Sequence, residues 1–378
     1  MKYLVAPLNW GLGHASRCIP LIQRFLDEGH EVVLGGDGDS LTLLRKRFPK
    51  LRYVYLAPLN LRYSKGSRQV FAMLRAIPQL FAWSVKDHTL LRAVLREEPF
   101  DRIISDNRFG LYVKQGRSPK QSNKDAVPNS QTIKQPKAVY MTHQLHIFFP
   151  RGWRWLEPLA ERLHARIYRR FDEVWVPDYE DPARSLAGEM SHPESSNLHI
   201  FESSNLRYIG PLSRFGISTY RDLEVSKNYD TVAVLSGLEP HRTLLEQEII
   251  ARYTNHQSPI TNHQSPTLLI VQGLPGRPKT TIKRGNITIV PYLSDAELVP
   301  ALLNARHIIA RSGYSTIMDL HALGLLSISP QDGLSATRSN SDNGLSGGAG
   351  PLVELIPTPG QPEQEFLAKR FAYIQKKQ

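Results

Sequence analysis

Lys2-Tyr3-Leu4-Val5-Ala6-Pro7-Leu8 opens the chain as a short apolar run, and Asn9-Trp10-Gly11-Leu12-Gly13-His14 follows as a glycine-rich turn. Residues 15–29, ASRCIPLIQRFLDEG, then read as a helix that stops at Gly29, and residues 30–36, HEVVLGG, are apolar again. Strand, loop, helix and strand in that order are the opening of a doubly wound α/β domain. FDRIISD (100–106), KAVYMTH (137–143) and DEVWVPD (172–178) read as later strands. Each ends on a polar residue, at the carboxyl edge where parallel sheets build their sites. Asp106 and His143 become candidate site residues on that ground.

A second, similar series starts near Tyr229. DTVAVLSG (230–237), TLLIVQG (267–273), NITIVPY (286–292) and HIIARSG (307–313) read as strands. Residues 239–253 and 315–324 read as helices, and residues 363–377 as a closing helix. The chain has 378 residues; at roughly 100–200 residues per domain, two α/β domains face each other across a cleft. The expected divisions are 1–212, 213–355 and a closing segment 356–378. Three polar segments interrupt the pattern and read as flexible loop insertions: 114–137, 254–266 with TNHQSP written twice, and 331–350.

The composition is 41% hydrophobic, ordinary for a globular protein, and the net charge is +12. With a pI near 9.7, anionic partners are favoured. Zinc-finger spacing, recognition-helix patterns and basic-aromatic motifs are missing, so nucleic acid is not expected as a partner. No run of about 18 apolar residues spans a bilayer. The first residues make a poor signal peptide, and Cys18 alone builds no disulfide framework, so a cytoplasmic location is expected. Cys18 itself reads as a half-buried helix residue.

Three loops carry chemistry. In the first, Gly11 and Gly13 allow close backbone approach, and the helix after them attracts anions. Asn9 belongs to the same loop. His14, at its junction with the helix, is a candidate base or phosphate ligand, with a structural or capping role as the alternative. The second loop, Arg311-Ser312-Gly313-Tyr314-Ser315-Thr316, offers amides and hydroxyls to a diphosphate. Asp319, one turn on, can reach ribose hydroxyls or simply sit near a positive helix end. The third is a Pro/Gly turn leading to Gln361, Glu363 and Gln364, suited to sugar hydroxyls. Ser236-Gly237 repeats the strand–glycine–helix theme. Asp37-Gly38-Asp39 spells a D-x-D but follows a second Rossmann-like strand, and reads as a turn. No metal cluster stands out, so helix N-termini and Arg311 are expected to meet leaving-group charge.

Together the Gly-x-Gly-His loop, the Arg-Ser-Gly-x-Ser-Thr turn and the Gly-Gln-x-Glu-Gln segment resemble glycosyltransferase family 28. That group includes the N-acetylglucosaminyl transferase that forms lipid II and the plant galactolipid synthases. His143-Gln144, VWVPD (174–178) and GPLSRF (210–215) look closer still to a bacterial group of uncharacterised family 28-like glycosyltransferases. The resemblance implies a GT-B fold: two Rossmann-like domains, acceptor in the first and nucleotide sugar in the second. It implies Gly11, Gly13 and His14 at the cleft, and Ser312, Gly313 and Thr316 at the diphosphate. Asp319 stands where relatives often bind ribose through Glu, and Gln361 and Gln364 match the residues that read the donor sugar. The implied donor is UDP-linked and is a substrate, so no cofactor is expected. The implied acceptor is a glycan or lipid-linked hydroxyl. The alternatives are a nucleotide-sugar hydrolase or epimerase, and a non-catalytic sugar-nucleotide-binding partner.

Residues 151–171, laid on one helix, align Trp153, Leu156, Leu159, Ala160, Leu163, Ile167 and Phe171 as an apolar stripe. Arg154, Arg162, Arg166 and Arg169 fall opposite. Such a stripe packs into its own domain's core or rests peripherally on an anionic membrane surface. Residues 70–83 are a second apolar and basic candidate.

Overall fold

The computed structural model describes residues 1–59, 69–113, 135–149, 151–193, 205–215, 229–237, 239–255, 266–328 and 351–377. All of 331–350 and most of 114–137 and 254–266 lie outside the described residues, so the three insertion readings are not addressed.

The first half is built on seven strands: β1 (Lys2–Pro7), β2 (Glu31–Gly36), β3 (Tyr53–Tyr55), β4 (Arg102–Asp106), β5 (Lys137–Met141), β6 (Glu173–Val176) and β7 (Leu206–Tyr208). They pair in parallel in the order β3-β2-β1-β4-β5-β6-β7. The helices are α1 (Gly13–Asp27), α2 (Gly38–Arg47), α3 (Gln69–Glu97) and α4 (Glu157–Tyr168). The central strands are apolar on both faces because helices or loops cover both: Leu4 and Ile103 pack one way, Val5 and Ile104 the other.

The second half has β8 (Thr231–Val234), β9 (Leu268–Val271), β10 (Ile282–Arg284), β11 (Ile287–Val290), β12 (His307–Arg311) and β13 (Leu352–Ile356). Their order is β10-β11-β9-β8-β12-β13, parallel except for β10. Here the helices are α5 (His241–Asn255), α6 (Asp295–Leu303) and α7 (Tyr314–Ala322).

Each sheet reverses its strand order once in its centre, between β1 and β4 and between β8 and β12. Doubly wound sheets bind ligands at such reversals, outside the carboxyl ends of the strands. The loops that leave β1 and β8 meet there. Gly11 has φ +75°, and a Cβ on it would come within 3.5 Å of the Gly237 backbone. A Cβ on Gly13 would lie 3.0 Å from Ser315 Oγ. The glycines of the first loop therefore let the second half approach.

The last helix, α8 (Pro362–Lys377), follows the second sheet but packs on the first half. Phe366 stacks on Phe148 with centroids 4.6 Å apart, and Arg370 donates to the Ser185 carbonyl at 2.8 Å. Leu367 and Phe371 are fully buried in the core that joins both halves.

The amphipathic segment departs from expectation. Residues Arg151–Leu156 form a 3-10 helix, and α4 begins only at Glu157. Three residues per turn instead of 3.6 shifts the phase of Trp153 and Leu156 relative to α4, within which Leu159, Ala160, Leu163 and Ile167 keep their helical spacing. Leu156 and Phe171 point inward, while Leu159 and Leu163 are about half exposed, at 53% and 48%. The inward face is Glu157, Glu161, Ala165 and Tyr168. Both carboxylates find partners there: the Phe149 amide at 3.1 Å and His146 Nδ1 at 2.6 Å.

Candidate active site

A cavity of about 560 Å³ lies between the two strand-order reversals. That is the size of a small-ligand site. Gly11, Gly13, His14 and His143 line it from the first half. Gly237, Gly313, Ser315, Thr316, Asp319, Gln361, Glu363 and Gln364 line it from the second. The structure thus brings together residues far apart in sequence.

Asp106 stands behind this wall, wholly buried at the end of β4. Its Oδ1 lies 3.1 Å from His14 Nδ1. Arg17, one turn after His14 on α1, donates Nε to Asp106 Oδ2 at 2.7 Å and Nη2 to Asp106 Oδ1. Burial pushes the Asp106 carboxyl up, but Arg17 and then His14 outweigh it and hold it well below the usual range. The histidine–carboxylate pair at the mouth of α1 is geometrically able to hold or move a proton.

His143 bridges the halves. Its ring stacks on Tyr314 of α7, 4.1 Å between centroids and 9° from parallel. Nε2 lies 3.0 Å from Glu363 Oε1, and Nδ1 lies 3.1 Å from Arg17 Nη1. Gln144 also donates to Glu363. Burial lowers the His143 pKa, against the pull of Glu363; burial pushes the Glu363 carboxyl up, but His143 outweighs it and holds that carboxyl low. His143 is thus held neutral beside an ionised carboxylate.

On the opposite wall, α7 starts at Tyr314 with Gly313 as an uncapped N-cap. The first-turn amides of a helix have no intrahelical acceptor and attract anions. Thr316 adds a hydroxyl to this rim, while the Ser315 hydroxyl donates its hydrogen to the Gly13 carbonyl at 2.8 Å. Gln364 Nε2 donates to Gln361 Oε1 at 2.7 Å, and Gln364 Oε1 accepts from the Thr358 amide at 2.8 Å. The amide pair is thus fixed in orientation at the cavity edge. Asp319 accepts from Ser213 Oγ at 2.7 Å and lies 3.5 Å from Arg214 Nε. Burial raises its pKa to about 6 despite that cation.

Three expected contacts are corrected. Arg311 spends its guanidinium on the carbonyls of Pro357 and His241, at 2.9 and 2.7 Å, and does not line the cavity. It braces the turn beneath the site, so it is not placed to meet leaving-group charge. Ser312 is likewise taken up, donating to the Gln364 carbonyl at 2.8 Å. Asn9 turns away to Asp37 Oδ2 at 3.1 Å and accepts from the Ser40 amide, holding the start of α2. Asp37, the first acid of the D-x-D, is paired with buried Arg108 at 2.8 Å. The D-x-D, read from sequence as a turn, instead opens α2: Asp37 is the N-cap residue, and Gly38 and Asp39 lie in the first helical turn.

Sequence reasoning missed four features. Arg17 is one; its only signal was a basic residue three positions after His14. Asn107 is another: it follows Asp106 at φ +56°, the left-handed region that asparagine tolerates best, and lines the cavity. Tyr314 was passed over as the variable position of its turn. The last is an aromatic chamber on the first-half side, where Trp83, Phe109, Tyr140 and His164 line the cavity. Burial lowers the His164 pKa to about 4, so that ring is neutral. Cys18 is fully buried and its thiol is pushed well up by burial, which makes it a packing group.

No protein-family model matches the chain. A Methanosarcina acetivorans protein named "Uncharacterized glycosyltransferase" is 26% identical over 379 residues, covering 95% of this chain and 85% of that protein. A second protein of that name from the same organism is 23% identical, covering 95% and 87%. The chain is similar to both proteins over nearly its whole length. The solved structure of Arabidopsis thaliana UGT89C1 complexed with UDP-L-rhamnose superposes with a TM-score of 0.50 at 13% identity, covering 99% of this chain and 92% of that one. The fold is the two-Rossmann GT-B arrangement.

Proposed function

We propose that the protein transfers a glycosyl group from a nucleoside diphosphate sugar, UDP-linked, to a hydroxyl acceptor. The observation that carries this reading is the facing of two strand-order reversals across one cavity. His14 and Asp106 stand on one side; the start of α7 and the Gln361–Gln364 pair stand on the other. In the reaction the acceptor hydroxyl oxygen bonds to the anomeric carbon as its proton passes to a base in the cavity, and the bond to the diphosphate oxygen breaks with its electron pair staying on the departing nucleoside diphosphate. The first-turn amides of α7 are placed to meet the diphosphate charge. Gln361 and Gln364 are placed to hold sugar hydroxyls. His14 acts at the reaction centre, and no metal is assigned a step. The names of the Methanosarcina relatives and the UDP-sugar in the Arabidopsis structure support the same class of chemistry.

The acceptor is proposed to be lipid-linked or part of an envelope glycan, reached from the cytoplasmic side. Among the described residues no helix is long and apolar enough to cross a membrane. The support is instead the apolar rim beside the cavity. Leu80 and Trp83 of α3 and Leu163 of α4 line it, with exposed Phe81 on α3, Leu159 on α4 and Trp155 on the 3-10 turn before α4.

A thermal-shift screen of UDP-, GDP-, TDP- and CMP-sugars tests the donor. Stabilisation by UDP-sugars is expected; indifference to all four overturns the reading. Release of free sugar or an epimer at enzymatic rates without acceptor would transfer the assignment to hydrolysis or epimerisation.

A further inference from the structure

Two histidines turn the same ring nitrogen toward one guanidinium. Arg17 Nη1 lies 3.1 Å from His143 Nδ1, and Arg17 Nη2 lies 2.9 Å from His14 Nδ1. A guanidinium carries five N–H donors and no acceptor, and it stays protonated in proteins. Each contact is a hydrogen bond only if the imidazole nitrogen offers a lone pair.

For His143 the other end of the ring agrees. Nε2 faces the Glu363 carboxylate at 3.0 Å, an acceptor, so the hydrogen sits on Nε2. For His14 there is competition. Nδ1 also lies 3.1 Å from Asp106 Oδ1, which asks for a hydrogen at the same nitrogen. One nitrogen cannot serve both neighbours. Asp106 is already met twice by Arg17, through Nε on Oδ2 and Nη2 on Oδ1. The carboxylate therefore loses little if His14 withholds its hydrogen. Arg17 is 1% exposed, so a guanidinium hydrogen turned away from His14 Nδ1 finds little water to take it. The balance favours the bond from Arg17.

We infer that Arg17 is a positioning residue that fixes His14 and His143 together as Nε2–H tautomers. His143 spends that hydrogen on Glu363. His14 keeps it at the ring edge remote from Asp106, within the cavity wall. In this resting network His14 is a hydrogen-bond donor and not a base. The chemistry it fits is an anionic oxygen, such as a nucleoside diphosphate; the identity of that oxygen rests on the glycosyl-transfer reading. To take a proton at Nε2, His14 would first have to place its hydrogen on Nδ1 and give up Arg17.

The test is long-range 1H–15N correlation on full-length protein with 15N-labelled histidine, at neutral pH. His14→Gln and His143→Gln assign the two rings. Both are expected to carry hydrogen on Nε2 and a lone pair on Nδ1. A major His14 form with hydrogen on Nδ1 overturns the inference. Arg17→Met is expected to move His14 to the Nδ1–H form, bonded to Asp106, and an unmoved tautomer in a folded variant overturns it as well. If Arg17→Met does not fold, the wild-type spectrum still decides. Adding UDP is expected to shift the His14 Nε2 resonance. If UDP raises the melting temperature but leaves that resonance unmoved, the donor role fails while the glycosyl-transfer reading stands. If UDP does not bind at all, that reading fails, and the tautomer assignment is judged by the spectrum alone.

Discussion

Ser315 donates its hydroxyl hydrogen to the Gly13 carbonyl at 2.8 Å, which ties the opening turn of α7 to the opening turn of α1. The two residues belong to different sheets, yet each begins the helix that follows a site-bearing loop. The bond sets how far apart the two walls of the cavity stand. His14, next to Gly13, and Gly313, two residues before Ser315, are held facing the same space.

Gly313 is the sharpest probe of that space. Its backbone is ordinary, at φ −72°, and an added Cβ meets only Thr316 Oγ1 at 4.0 Å. Gly313→Ala should therefore fold and bind nucleotide nearly as the parent does. Gly313→Asp should fold too, but puts a carboxylate beside the α7 N-terminus and should abolish UDP binding. Calorimetric titration of both variants checks this. Unchanged UDP affinity in a folded Gly313→Asp protein would remove the diphosphate from this turn.

His14→Ala removes the imidazole that touches both Asp106 and Arg17 and lines the cavity. Losing a general base costs about 10²–10⁴-fold in rate, and losing one preorganised donor about 10²–10³-fold. In either role kcat should fall by about 100-fold or more, with the donor KM moving much less. Steady-state rates with the donor found by thermal shift measure it. A near-normal kcat would return His14 to capping and packing.

Asp319 predicts a pH dependence of stability. Its folded pKa is raised to about 6, chiefly by burial; unfolded aspartate titrates near 3.9. Between these values the native state holds more protons than the unfolded chain, so stability rises as pH falls through 6. At pH 8 the buried charge costs about 3 kcal/mol at most, taking about two pKa units at 1.36 kcal/mol each. Asp319→Asn keeps an oxygen for Ser213 and leaves Asp295 to pair Arg214 at 3.2 Å. The variant should be about 1–3 kcal/mol more stable than the parent at pH 8, with the gap closing toward pH 4. Urea unfolding at pH 8, 6 and 4 decides it; parallel curves for parent and variant would place the Asp319 charge in a solvated setting.

The sequence made the fold and the two facing loops legible because glycines at strand–helix junctions leave a local signature. Gly11 and Gly13 stand where the second half comes within 3.0–3.5 Å of an added Cβ, while Gly313 has room for one and marks its junction by position alone. Side-chain direction left no such mark. Arg311 sits beside the Gly313 turn in sequence, yet its long side chain reaches backward to Pro357 and His241. Arg17 looked like an ordinary charge on an amphipathic helix until β4 and β5 brought Asp106 and His143 against it. Those contacts span 89 and 126 residues, a range over which local pattern carries no information.

The outer face of α4 gives the last prediction. A helix whose Leu159 and Leu163 served only its own core would bury them, but they stay 53% and 48% exposed, with Trp155 at 71% on the preceding turn. Phe81 and Val85 of α3 are exposed as well, at 67% and 52%. Arg154, Arg162 and Arg166 stand exposed among these apolar groups. Apolar side chains interspersed with cations suit an anionic lipid surface: the rings and leucines enter the headgroup boundary, and each nearby cation adds about 1 kcal/mol. The protein should therefore sediment with phosphatidylserine-containing vesicles at low salt and be released as salt rises. Arg154→Glu with Arg166→Glu should weaken this by about 10-fold or more, since two cations at about 1 kcal/mol each become anions. Leu159→Ser with Leu163→Ser should weaken it at every salt concentration, because that contribution is not electrostatic. Failure of the parent to sediment at low salt would remove the membrane from the proposal and leave a water-soluble acceptor.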